Sequence, residues 1–138
     1  VTAEICWVYV FSRKADAGLT KPVKVGISRN VDGRLSTVQT ACPFKIDMAY
    51  VFECPNREIA EYLERSFHDT QKSACLHGEW FDYEPVEAIH LLCIGYRVML
   101  ELTCSDQKTR SDSLECAGVL WAEKRFGLEE PTDRAALQ

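Results

Sequence analysis

Residues 61–68 read Glu61-Tyr62-Leu63-Glu64-Arg65-Ser66-Phe67-His68, and ten residues further on the chain runs Gly78-Glu79-Trp80-Phe81. In a helix, Ile59, Leu63 and Phe67 recur every fourth residue and form an apolar stripe. Ala60, Glu64 and His68 repeat at the same spacing one residue round, which stacks a carboxylate and an imidazole beside the buried seam. Such a pair can hold a metal ion or a water at the wall of a cleft. It is equally what an amphipathic helix presents at the border of its polar face. These residues alone leave both readings open.

Upstream of that helix, Glu4 to Phe11 is rich in β-branched and aromatic residues and predicts a strand buried on both faces. Ser12 to Pro22, with four charges, Gly18 and Pro22, predicts a hairpin connection of some length. Val23 to Ser28 alternates as the partner strand, and Gly26 within it marks a bulge or a close approach by another backbone or a ligand. Asn30 caps a helix from Val31 to about Thr40 with Leu35 and Val38 inward, and Cys42-Pro43 ends it. Lys45 to Phe52 predicts a third strand, and Asn56 caps the 61–68 helix, which runs to about Gln71.

Downstream, residues 72–78 are polar and turn-like, and Glu79 to Tyr83 predicts a short strand. Pro85 opens a long apolar helix to about Leu102. Thr103 to Arg110 reads as a linker, and Asp112-Ser-Leu-Glu115 has the spacing of a capping box for one last helix that Gly127 stops. The order predicts an α+β fold: a small three-stranded, mostly antiparallel sheet flanked by helices, with extra C-terminal helices. The expected division is a main domain over 1–102, a helical extension over 103–127 packed on it, and a flexible tail over 128–138.

At 138 residues, 46% hydrophobic and 27% charged, the chain can bury a core without staples. No stretch approaches the ~20 apolar residues of a membrane span. Residues 1–11 lack a basic start and a small-residue cleavage site, so no secretory leader is expected. Seven scattered cysteines without a Cys-x-x-Cys pair point to a reducing, cytoplasmic setting. The net charge of −5 argues against a wholly basic nucleic-acid binder. Residues 1–50, however, carry seven Lys and Arg against four Asp and Glu, whereas 51–138 carry nine against seventeen. A local phosphate-binding patch is compatible with that split.

Polar residues inside apolar strands need partners, because burying one unpaired costs ~1–3 kcal/mol. Tyr9 and Lys24 occupy such positions on the two hairpin strands, Arg34 follows on the next helix, and Glu64 and His68 come from the later one. These are the groups a phosphodiester hydrolase uses. A carboxylate holds a divalent cation, and a guanidinium or ammonium offsets charge building on phosphate. A phenol or imidazole manages the proton of an attacking water.

The series Trp7-Val8-Tyr9, Lys24-Val25-Gly26, Arg34, Glu64, His68 and Glu79-Trp80-Phe81 resembles the GIY-YIG nuclease superfamily. It is most similar to the phage-type branch, whose pattern reads Tyr-Val, Lys-Ile-Gly, Arg, Glu-x-x-Leu-His, Gly-Glu-Trp-Phe. The resemblance spans about residues 5–92. It implies an α/β/α-layered domain that cuts DNA with one divalent metal, usually Mg2+, for which Mn2+ substitutes. By that resemblance Glu64 is the metal ligand, Arg34 binds phosphate, and Tyr9 orients or deprotonates the nucleophilic water. Lys24 stands where many members carry a second tyrosine, and His68 supports the ligand or handles a proton. Trp7 replaces the glycine of the first motif, Ser12 to Pro22 is longer than the family minimum, and the late asparagine of some branches is absent.

Blander roles stay in view: Tyr9 as a core aromatic, Lys24 snorkelling at a sheet edge, Arg34 solvated on its helix. Trp80 and Phe81 are assigned to the core, and Glu79 to the surface. Cys75 and His77, with His68, suggest zinc only weakly, since no second paired motif occurs. Cys42 and Cys116 lack an identifiable base for thiol chemistry. The leading expectation is a metal-dependent DNA endonuclease. The alternatives are a catalytically weak module of the same fold that binds nucleic acid or protein, and a metal-binding protein unrelated to nucleic acid. The C-terminal helices are available for a homodimer contact or a larger protein partner. If the first expectation holds, Tyr9, Lys24, Arg34 and Glu64 must line one cleft.

Overall fold

A computed structural model of the chain describes residues 4–128. The long hairpin is β1 (Cys6–Ala15) and β2 (Gly18–Ser28), and α1 (Val31–Ala41) leads into β3 (Ile46–Cys54). Then come α2 (Arg57–Thr70), a 3-10 turn at Lys72–Ala74, and the short strands β4 (Cys75–His77) and β5 (Trp80–Phe81). The long helix α3 (Pro85–Thr103) precedes α4 (Gln107–Ala117) and α5 (Val119–Arg125). The α+β class holds, but the sheet has five strands in the order β3-β1-β2-β5-β4, every adjacent pair antiparallel, rather than three. β5 lies within the short strand expected over 79–83 but was left out of the three-stranded sheet, and β4, three residues long, is too short for a period-2 pattern to declare itself.

The expected 12–22 connection is also corrected. Only Asp16 and Ala17 lie between the strands, which continue outward as a ribbon. Register shifts between Ser12 and Arg13: Ser12 pairs with Val23, Arg13 with Thr20, and Lys21-Pro22 bulges out. Proline cannot donate to a ladder, so Pro22 marks a bulge and not a loop.

Strand alternation divides the two faces of the sheet. Cys6, Val8, Val10, Val23 and Val25 share the main core with Leu63 and Phe67 of α2 and with Ala88, Leu92 and Tyr96 of α3. Each such apolar side chain contributes about 1.5–3 kcal/mol on burial. Tyr9 and Phe11 point the other way, their rings stacked with centroids 4.0 Å apart, on the side that α1 covers. Leu35 and Val38 of α1 are only half-buried. The Gln39 side chain donates to the Phe44 carbonyl at 3.0 Å and accepts from the Ile46 amide at 2.9 Å, which fixes the turn from α1 into β3.

At the C-terminal end the single expected helix is two. Asp106, not Asp112, is the cap of α4, accepting from the Thr109 amide at 2.8 Å. The 103–110 linker is therefore largely helical, and Asp112 lies on the surface of α4 beside Lys108. Gly118 at φ +86 ends α4 and begins α5; a side chain there would be strained. Leu114, Ala117, Val119 and Ala122 join the main core. So does Leu128, which the sequence assigned to a loose tail; the rest of that tail, 129–138, lies outside the described residues. No helix among the described residues is long and apolar enough to cross a membrane.

Candidate active site

β5 pairs with β2 only at Val23 and Lys24, so the edge of β2 is open beyond them. Two groups fill the opening. The Val25 amide donates to the Glu79 carbonyl at 3.1 Å, and the Val25 carbonyl is bonded to His68 Nε2 at 3.0 Å. A carbonyl only accepts, so His68 carries a proton on Nε2. In the neutral ring Nδ1 then keeps its lone pair.

Tyr9 is the register partner of Gly26 and is fully buried. A Cβ on residue 26 would lie 2.3 Å from the Tyr9 hydroxyl and 3.0 Å from Glu79 Oε1. Gly26 is therefore the gap between the Tyr9 phenol and the carboxylate of Glu79, the residue just before β5. The close approach foreseen for this glycine comes from the protein's own side chains. From α1, Arg34 Nε donates to the Tyr9 hydroxyl at 3.4 Å. Lys24, only 8% exposed, places its ammonium 2.7 Å from Glu79 Oε1 and 5.9 Å from the centroid of the Trp80 ring.

From α2, Glu64 and His68 stand one turn apart, and their ligating atoms and that of Glu79 all lie within 4.8 Å of one another. All three residues are partly buried. Burial first, and the Glu79 carboxylate second, push the Glu64 pKa above its ordinary value of 4.5, although His68 pulls it down. Burial likewise raises the Tyr9 phenol above 10.0, against the Arg34 hydrogen bond that lowers it. Tyr9 is thus held as a neutral phenol.

The five residues singled out from sequence fall into one neighbourhood, and Glu79 is what connects them. It contacts Lys24 directly, lies across Gly26 from Tyr9, and completes the cluster with Glu64 and His68. Sequence reasoning placed Glu79 on the surface and missed it. The available signal was its position immediately before the Trp80-Phe81 pair that the core requires. Phe81 is in that core, whereas Trp80 is half-buried on the Lys24 side of the sheet. Cys75 and His77 lie exposed on β4 and take no part in the cluster.

Two carboxylates and an imidazole, flanked by two cations and a phenol at an open strand edge of a small α+β domain, are groups that could hold a cation and an anionic ligand side by side. The T5orf172 domain family matches residues 6–94, well over half of the chain, and the chain belongs to that family. No curated protein and no solved structure matches it.

Proposed function

We propose that this chain is a divalent-metal-dependent DNA endonuclease that hydrolyses phosphodiester bonds at a site of GIY-YIG type. The observation that carries the reading is the Glu64–His68–Glu79 cluster set beside Lys24 and Arg34. Membership of the T5orf172 family, a phage-type domain associated with nucleases, supports it. The donors fit a hard cation: two carboxylates and one imidazole, with burial and then the Glu79 carboxylate raising Glu64. Glu64, Glu79 and the His68 ring would hold Mg2+, or Mn2+ in its place. When bound, such an ion supplies Lewis acidity at a phosphate oxygen and acidifies a water.

The chain's own groups do the remaining work. Arg34 offers guanidinium hydrogens to non-bridging phosphate oxygens while its Nε keeps the phenol in place. Lys24 orients Glu79 and adds positive charge where charge develops on the phosphoryl group. Tyr9, a neutral phenol that accepts from Arg34, uses its own O–H to orient the attacking water and is not the base that deprotonates it. His68 is bonded to the open edge of β2 through Nε2, so Nδ1 is the nitrogen that would take the cation or a proton.

Supercoiled plasmid incubated with Mg2+ or Mn2+ should give nicked and linear forms, and Glu64→Ala should abolish them. Protein that shifts DNA on a gel yet cuts under neither metal would instead be a binding module of the same fold. Failure to bind DNA even at low salt would remove both readings.

A further inference from the structure

Beside the acidic cluster lies a cleft of about 440 Å³, bounded by β2, α1, the connection from α1 to β3, and His77 and Trp80 of β4 and β5. Lys24 and Arg34 stand on its wall, so the two cations are shared between the cluster and the cleft. The rest of the wall is mainly apolar, dominated by Phe44 and Trp80, whose rings meet edge to face at 5.7 Å. That size lies within the roughly 300–1,000 Å³ of clefts that enclose small ligands. A phosphate backbone needs cations but no aromatic cavity. An aromatic cavity next to phosphate-binding cations suits the flat, uncharged part of a nucleotide.

We infer that this cleft receives one unpaired nucleobase of the DNA strand whose phosphate sits at Lys24 and Arg34. The phosphate's position rests on the nuclease reading above; the cleft's occupant follows from its lining. Bases inside a duplex are stacked and paired and cannot enter, so the substrate class is DNA with a single-stranded or extruded nucleotide at the cut. Apolar contact with a ring is tolerant of base identity, so the cleft selects for DNA structure and not for sequence.

The test uses the full chain in EDTA and a single strand of about 12 nucleotides carrying one 2-aminopurine, whose fluorescence falls on stacking against aromatic rings. The protein should quench it and should bind this strand about fivefold or more tightly than the same sequence as a blunt duplex. Trp80→Leu should abolish quenching and weaken single-strand binding about 5- to 100-fold. The double variant Thr37→Leu, Ala41→Leu fills the cleft from exposed positions of α1, without touching the core, and should have the same effect. Equal affinity for strand and duplex, or quenching that survives the double variant, overturns the inference. So does free 2-aminopurine deoxyribonucleotide binding as tightly as the strand, which would make this a mononucleotide site. The single strand left uncut with Mg2+ or Mn2+ by protein that still quenches in a Trp80-dependent way would remove the nuclease reading and keep the occupant of the cleft.

Discussion

Tyr9 and Gly26 show how one missing side chain can assemble a site. The 2.3 Å separation between a Cβ at residue 26 and the Tyr9 hydroxyl leaves no room for alanine unless the ring moves. Gly26→Ala should displace Tyr9 from Arg34 and disturb Glu79, costing about 1–3 kcal/mol by overpacking. Nicking should fall in parallel; a variant that cuts and melts like the parent would contradict this geometry. Glu64 gives a prediction of opposite sign for stability. Its pKa is higher in the fold than the ordinary 4.5. It therefore adds stability below about that value, and the contribution is lost as pH rises through the folded pKa. Glu64→Gln is neutral at every pH, so in EDTA at neutral pH it should melt a few degrees above the wild type while losing all cleavage. A divalent cation at 100 times its Kd should then stabilise the wild type by about 2.7 kcal/mol and the variant hardly at all. Calorimetry with and without metal separates the two.

Among the elements, α2 matters most, because it carries Glu64 and His68 to the open edge of β2. Its first turn is held by Asn56, whose side chain accepts from the Ile59 amide at 2.9 Å. Asn56→Ala should cost about 1 kcal/mol of stability in denaturant titration, with cleavage by the folded fraction unchanged. The helix ending the family match is braced from beyond it. Arg97 of α3 pairs with Glu123 of α5 at 2.7 Å, and Tyr50 of β3 donates to the Gly118 carbonyl between α4 and α5 at 2.5 Å. Tyr50→Phe should lower stability by about 1 kcal/mol and loosen amide protection in α4 and α5 before it does so in the sheet. Uniform loss of protection would show instead that these helices unfold with the sheet. The long elements were legible in the sequence: caps at Asn30 and Asn56, a proline at the first position of α3, alternation in the strands. β5 fell within the short strand expected over 79–83, but β4, the joining of both to the sheet, and the α4–α5 break were not legible. A three-residue strand is too short to show a period, and Gly118 acts through a positive φ that composition alone does not reveal.

For the molecule as a whole, the net charge of −5 conceals a local arrangement. Lys14 and Lys21 on the hairpin are each paired with an aspartate, at 3.7 and 3.6 Å, whereas Lys24 and Arg34 are cations that line the cleft. DNA binding should thus fall with salt with a shallow slope, reflecting a few phosphate contacts and not a broad basic face. Arg34→Ala should reduce that slope by about one. A steep slope unaffected by Arg34 would place the DNA on another surface.

The sequence by itself determined the order of the longer elements through α3, the apolar seam of α2 and the candidate residues Tyr9, Lys24, Arg34, Glu64 and His68. These follow from local periodicity, from capping chemistry and from an ordered series of short motifs. Only the tertiary structure decided that β5 stops short along β2, and this had the larger consequence. The early stop leaves the Val25 carbonyl for His68 and turns Glu79 inward to meet Lys24, Tyr9 and Glu64. The position of Glu79 before Trp80-Phe81 could flag it but not name its partners, because Lys24, Tyr9 and Glu64 lie 55, 70 and 15 positions away in the chain and meet it only when the sheet closes.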